Sequence, residues 1–179
     1  KSGDDFAGQL ATAGQGSTLF ATEQLAMNAV SAGFFYLDKE VKDLKIGRPI
    51  GLIECETATC PETVESRYAK RSRDHIKNNL LGFRQMFEGC DEGDNLGFDD
   101  LLVSLGAGDL AGRMKADLAS AIETTDALPS ADLAEVLTTD PAKLTALHVA
   151  IKKLTDAMKT ELATVLDLEL PQNVEGDND

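Results

Sequence analysis

The sequence predicts an all-α protein, and more specifically an antiparallel, up-down four-helix bundle. Apolar residues recur at steps of three and four along four long segments. No segment alternates apolar and polar residues as a strand does, and the apolar stripes approach a seven-residue repeat. With 179 residues, 42% of them hydrophobic and 27% charged, the composition fits one globular domain over residues 1–179.

The first helix is predicted to run from Phe20 to Gly47, with Ser17 as its N-cap. Gly47 suits a helix C-terminus, and Pro49 cannot continue the helix. The apolar stripe of this helix consists of Met27, Val30, Phe34, Leu37, Val41 and Leu44.

The second predicted helix starts at Ser72 as N-cap and ends at Gly89. Its buried positions are Ile76, Leu80, Phe83 and Phe87. The third starts with Asp99 as N-cap, and Phe98 before it is expected to pack onto Val103 one turn later.

The third helix is expected to break at Gly106–Gly108 and to restart with Asp109 as cap. A short helical turn is predicted over Asp132–Leu137. The last helix has Asp140 as N-cap and Pro141 at its first position, and it ends before residue 171. The buried stripes of these two long helices are Leu110, Met114, Leu118 and Ile122, then Leu144, Leu147, Ile151, Leu154, Met158, Leu162 and Val165.

Two stretches lie outside the predicted helices. Residues 51–66 form a long polar crossover loop, and loops of that length are usually functional or held by a disulfide. The polar tail, residues 171–179, is predicted to be frayed.

The three cysteines are Cys55, Cys60 and Cys90. The Cys55–Cys60 spacing suits a small disulfide loop in an oxidising compartment, and a Cys60–Cys90 bond is equally compatible with the sequence. An odd number of cysteines leaves one thiol outside any intrachain bond. Neither histidine lies at zinc-ligand spacing from the pair.

The formal net charge of −14 argues against two classes of binding partner. Nucleic acids and anionic membranes are disfavoured, because binding to them gains from lysine and arginine, which acidic residues here outnumber 31 to 17. No apolar run reaches the ~20 residues of a transmembrane helix. The sequence also lacks a Gly-x-Ser-x-Gly motif and a Gly-x4-Gly-Lys-Ser/Thr motif.

Two carboxylates, Glu23 and Glu161, fall within apolar stripes, where di-metal bundles place their ligands. We interpret both instead as exposed, with Leu162 taking the core place beside Glu161. No Glu-x-x-His motif is present, so we interpret His75 and His148 as structural.

The stretch GCDEGDNLGFDD at Gly89–Asp100 looks like a cation site, but its spacing does not match an EF-hand loop. We interpret it as a helix junction. For Asp91, Glu92 and Asp94, weak cation binding is an alternative interpretation. Arg48, between Gly47 and Pro49, either holds an anion or complements the dipole of the first helix.

Four stretches carry a family resemblance: DKEVKDLKIGRPIGL at 38–52, CPETVESRYAKRSRDHIKNNLLGFRQMFEGC at 60–90, GFDDLL at 97–102 and TVLDLELPQNVEGDND at 164–179. In this order they resemble the C-terminal half of an imelysin-like protein, nearly end to end. Imelysin-like proteins are bacterial periplasmic or outer-membrane-attached proteins of two helical-bundle halves, linked to iron acquisition and named after a member described as a metallopeptidase.

The resemblance implies an all-helical fold, an oxidising envelope location and a divalent metal or iron as cofactor. The family's Gly-x-His-x-x-Glu motif lies in the N-terminal half and is absent from this sequence. We therefore expect the chain to be a fragment or to pair with an N-terminal half, and to start after any targeting segment. A site at the junction of the halves would draw on Glu23, Glu40, Arg48 and Asp99.

Three hypotheses for function follow. The first is a non-enzymatic envelope protein that forms one wall of a metal or small-ligand site for iron uptake. The second is a metallopeptidase whose His-x-x-Glu motif lies in the other half; peptide hydrolysis at a metal needs ligands, an open position and a general base, and this chain has no recognisable set. The third is a structural bundle that docks a partner through an apolar face.

Overall fold

The computed structural model describes residues 5–90, 96–172 and 174, and over these residues it is helical, with no β-strand. A π-helix spans Leu37–Gly47, a 3₁₀ turn spans Pro61–Thr63, and a second π segment spans Met158–Leu162. The α-helices are α1 (Phe6–Ala11), α2 (Glu23–Ser31), α3 (Ser72–Glu88), α4 (Phe98–Ser104), α5 (Gly108–Asp126), α6 (Leu133–Thr139), α7 (Pro141–Ala157) and α8 (Ala163–Val165).

Four of these elements form the bundle. The π-helix packs on α3, α3 on α5, α5 on α7, and α7 returns to the π-helix. Helix α4 packs on α3 and α5, and α6 packs on α7. The all-α bundle is therefore confirmed, whereas its up-down order stays a prediction.

The predicted apolar stripes of α3, α5 and α7 line the core. Burying such stripes against one another is what makes helices of this length stable. Of the predicted positions, Ile122 is only partly buried and Val165 is 38% exposed. The fully or almost fully buried ones are Ile76, Leu80, Phe83, Phe87, Leu110, Met114, Leu118, Leu144, Leu147, Ile151, Leu154, Met158 and Leu162.

The first predicted helix is wrong as a single helix. Its N-cap is Thr22, whose side chain accepts from the Leu25 backbone N–H, and not Ser17. Short i→i+3 bonds, including Phe34 N–H to Ser31 O, separate α2 from the π-helix. The period of three and four continues through both elements, so the sequence pattern does not reveal the break.

The cap predictions for the third helix are also wrong in detail. Gly97 is the N-cap of α4, and the Asp100 carboxylate accepts its N–H at 3.0 Å. Val103, the expected packing partner of Phe98, is 59% exposed. The Phe98 ring packs on Phe34 with the ring centroids 4.6 Å apart.

Other predicted boundaries are confirmed to within a residue or two. Helix α5 starts at Gly108; its N-cap is Ala107, and the predicted cap Asp109 lies inside the first turn instead. Asp132 caps α6, and α7 begins at Pro141 after Asp140. Helix α3 starts at the predicted Ser72, but its hydroxyl donates to the Glu65 carbonyl instead of capping the helix.

The crossover is confirmed as an extended connection with only the 3₁₀ turn between the π-helix and α3. The predicted cation-binding residues Asp91, Glu92 and Asp94 lie outside the described residues. So does most of the tail at 171–179; of its described residues, Val174 is 2% exposed and packs on the core.

Candidate functional site

The π-helix Leu37–Gly47 is the element that departs most from an ordinary bundle helix. Helices with i→i+5 hydrogen bonds are rare and occur often at functional sites. Eleven residues belong to it, and its buried members include four charged ones. Asp38 and Lys42 are 0% exposed, Asp43 is 3% exposed and Lys45 is 8% exposed.

The carboxylate of Asp38 lies at the centre of an ionic network. Its Oδ1 is 3.3 Å from Lys42 Nζ and 3.4 Å from Lys159 Nζ. Asp43 Oδ1 is 3.0 Å from Lys42 Nζ, and its Oδ2 is 3.2 Å from Lys39 Nζ. We call these five residues the Asp38 cluster. Because Lys159 belongs to the second π segment, the cluster joins the two π segments of the molecule.

Burying this cluster is costly. Moving an ion from water into a protein interior costs several kcal/mol, which close pairing only partly offsets. The Oδ2 atom of Asp38 is buried and has no hydrogen-bond partner in the part of the chain that the structure describes. Buried polar atoms without a partner are uncommon, and a bound ligand, ion or water is one way to satisfy them. The Asp38 cluster is therefore the best candidate site.

The cluster does not by itself fit a metal ion. Three ammonium groups lie beside its two carboxylates and compete for the oxygen atoms that a cation would use. Across the described ranges, no group of three or more His, Cys, Asp or Glu side chains is placed to hold a metal. A metal bound by this chain would need further ligands from elsewhere.

The four candidate residues from the sequence are distributed over three helices. Glu40 is half-buried on the π-helix, and Arg48 is the C-cap of the same helix. Glu23 is exposed in the first turn of α2, and Asp99 is buried on α4. No hydrogen bond or ion pair between described residues joins any two of the four.

Asp99 has a structural partner. It is 5% exposed, and its carboxylate forms an ion pair with Lys115 of α5. The hydrogen bond to Asp99 raises the pKa of Lys115 above its usual value. Asp99 therefore ties α4 to α5, a role that its predicted function as N-cap did not include.

Arg48 faces the crossover loop. Its Nη2 forms an ion pair with Glu54, and its Nε is buried with no hydrogen-bond partner among the described residues. A disulfide joins Cys55 and Cys60, which selects one of the two bonds that the sequence allowed. Cys90 lies outside the disulfide, and its thiol is 3.8 Å from the Gln85 carbonyl.

The two histidines lie in different surroundings. His75 Nδ1 is 3.1 Å from Ser66 Oγ and 3.6 Å from Glu65 Oε2, and the same Glu65 oxygen is 3.2 Å from Lys45 Nζ. His148 is 8% exposed. A Cβ added to Gly47 would lie 3.6 Å from its Nε2, so the imidazole packs closely against the end of the π-helix.

The two carboxylates within apolar stripes do not face the core. Glu23 is exposed, and Glu161 forms two hydrogen bonds to Arg113, at 2.9 and 2.7 Å. This ion pair lowers the pKa of Glu161 and raises the pKa of Arg113. The di-metal interpretation of these residues therefore has no structural support.

Sequence reasoning missed Asp38, Lys42, Asp43 and Lys159. The sequence does contain a sign of these ion pairs, because Asp38–Lys42 and Lys39–Asp43 are both oppositely charged pairs at i,i+4 spacing. On most helices such pairs are solvated and exposed. Only the packing around the π-helix shows that these are buried.

The structure thus defines an all-helical bundle with an ionic cluster inside it and a disulfide-closed crossover beside it. A family model described as imelysin, with a peptidase label, matches residues 4–160. The chain belongs to the imelysin family, as its sequence stretches predicted. No curated protein and no solved structure matches it.

None of the helices in the described ranges is both long enough and apolar enough to cross a membrane.

Proposed function

We propose that this chain is a non-enzymatic binding component of the bacterial cell envelope, linked to iron uptake. It forms one wall of a small-ligand or metal site, and an N-terminal bundle, in the same or another chain, completes that site. The Asp38 cluster is the observation that carries the proposal, because a bundle stabilised only by apolar packing has no need to bury the charged side chains of Asp38, Lys42 and Asp43.

The arrangement of the π-helix supports this role. Asp38, Lys42 and Asp43 are buried, whereas Lys39 and Glu40 on the same helix are half-buried. Buried partners fix the position of an accessible charge, as in the Asp43–Lys39 pair, and such preorganisation is what a binding site requires. The disulfide Cys55–Cys60 supports an oxidising location.

Calorimetric titration tests the proposal. Iron(II) under anaerobic conditions, zinc and calcium are titrated into this chain alone and into its mixture with the N-terminal bundle. We expect binding in the mixture, weakened by Glu40→Gln. The matched control is Glu123→Gln, which removes an exposed charge from α5. Absence of binding for every metal in both preparations would contradict the metal version of the proposal.

The peptidase label of the family model supports one alternative function, that of a metallopeptidase whose His-x-x-Glu motif lies in the N-terminal bundle. Peptide turnover by the same mixture, abolished by a chelator and by loss of that motif, would favour it. A complex of the two bundles that binds no ligand and turns over no peptide would instead favour a structural docking role.

A further inference from the structure

The guanidinium group of Arg48 has one paired and one unpaired donor among the described residues. A guanidinium offers two parallel N–H bonds along its Nε/Nη2 edge, and this edge matches the two oxygens of a carboxylate. In the structure Nη2 is occupied by Glu54, whereas Nε is buried and has no hydrogen-bond partner among the described residues. Leaving a buried charged donor unpaired is unfavourable, so the edge is suited to a better-fitting anion.

The crossover loop places Glu54 at this position. Leu52 N–H donates to Gly47 O at 2.8 Å, and Cys60 N–H donates to Pro49 O at 2.9 Å, so both limbs of the loop are tied to the backbone beside Arg48. The disulfide Cys55–Cys60 closes the far limb. We call residues 51–60 the disulfide loop.

The backbone of the disulfide loop is held in conformations that side chains rarely adopt. Glu54 has a φ of 43°, although it is not a glycine. Gly51 has a φ of 82°, and a Cβ there would collide with the Ala58 carbonyl, so only glycine allows the two limbs to approach. Unfavourable backbone geometry of this kind occurs most often at ligand clamps and switch segments.

We propose that Arg48 is a binding point for the carboxylate of a small organic acid ligand, and that Glu54 occupies it in the ligand-free protein. The ligand carboxylate displaces the Glu54 side chain and accepts from both Nε and Nη2. The disulfide loop holds Glu54 at this point. This inference rests on the proposed function, because it names the chemical class that one residue of the site recognises.

Titration of metal-free protein with succinate tests the inference. Glu54→Ala removes the internal competitor, and we expect it to bind succinate on the order of tenfold more tightly than the wild type does. Adding Arg48→Lys to Glu54→Ala should abolish the gain, because an ammonium keeps the charge but has no two-pronged edge. Glu56→Ala is the matched control, since it removes an exposed carboxylate from the same loop.

Equal succinate affinity in Glu54→Ala and Glu56→Ala would overturn the inference, since only the net charge would then matter. The inference would also be overturned if the double variant Arg48→Lys, Glu54→Ala still bound succinate as tightly as Glu54→Ala does. A parallel titration with inorganic phosphate checks the ligand class, and tighter binding of phosphate than of succinate would contradict a carboxylate site.

A second measurement covers the case in which a variant does not fold. In the wild-type protein, the Arg48 Nε–H resonance should move on addition of succinate, and a resonance unchanged at saturating succinate contradicts the proposal. Both measurements use metal-free protein without a second bundle. Their failure is therefore distinct from failure of the metal titrations.

Discussion

Helix α7 packs on two neighbours, α5 and the π-helix, that bury different kinds of residue. Helix α5 buries mainly apolar residues, such as Met114 at 0% exposed, and we call its side of the bundle the apolar face. The π-helix buries Asp38 and Lys42, also 0% exposed, beside apolar residues such as Val41, and we call its side the charged face. Apolar burial is favourable at ~25 cal/mol per Å², whereas burying ions is costly even when they are paired.

From this contrast we infer that the apolar face stabilises the bundle, whereas the charged face serves a purpose other than stability. A bundle of this size could fill the charged face with leucine at equal or better stability. The charged face is also where both π segments lie, connected by the Asp38–Lys159 contact of 3.4 Å. Charge burial and unusual helix geometry thus coincide on one side of the molecule.

The largest expected effect comes from breaking the charged face. Lys42→Met should lower the free energy of unfolding by about 3–5 kcal/mol, because it leaves two buried carboxylates undercompensated. Urea unfolding measures this loss, and Lys143→Met on the exposed side of α7 is the control. The double variant Lys42→Met, Asp38→Asn should recover part of the lost stability, because one of the undercompensated carboxylates is then removed. A loss below about 1 kcal/mol would show that the cluster is effectively solvated.

A smaller effect is expected on the apolar face. Leu147→Ala should cost about 3 kcal/mol, because it removes transfer free energy and leaves a cavity. Leu147→Met conserves the volume and should cost less than about 1.5 kcal/mol. The same urea experiment measures both. Similar losses for the two substitutions would mean that the core around Leu147 is loosely packed.

A pH dependence of stability is expected for the ion pair between the buried Asp99 and the half-exposed Lys115. Because Asp99 raises the pKa of Lys115, the pair stabilises the fold below the unfolded lysine pKa of about 10.4, and this stabilisation is lost as pH rises through the higher folded value. The difference in urea midpoint between the wild type and Asp99→Asn should therefore shrink above that pH. A difference that stays constant up to pH 11.5 would contradict this assignment.

The smallest effect is expected at the surface. Glu161→Gln breaks the pair with Arg113, in which both side chains are about half exposed, at 48% and 57%. Exposed pairs contribute little, so the unfolding midpoint should not change measurably. Metal affinity of the two-bundle mixture should also be unchanged. Loss of metal binding in this variant would revive the di-metal interpretation of Glu161.

The sequence predicts the apolar face far better than the charged one. The stripes of α3 and α7 follow directly from periodicity, because apolar residues at helical spacing are rarely anything but core. The break before the π-helix leaves no such signal, since Phe34, Leu37 and Val41 continue the same period through it. Local propensity and pattern alone do not determine an i→i+5 ladder.

The candidate site was predictable only in part. The stretch that carries the family resemblance predicts Arg48 and Glu40, and both lie on or next to the π-helix. It does not predict Asp38 and Lys42, because charged residues are expected to face water unless the tertiary structure pairs them. The Arg48–Glu54 contact depends on how the disulfide loop folds back, which residue spacing does not encode.

The most direct test of a functional charged face is amide hydrogen exchange of this chain mixed with the proposed N-terminal bundle, with and without iron(II). If the π-helix forms the wall of the site, protection should rise within residues 37–48 and stay constant in α5. Increased protection confined to other helices, with residues 37–48 unchanged, would contradict the claim that the charged face of the bundle is the one that binds.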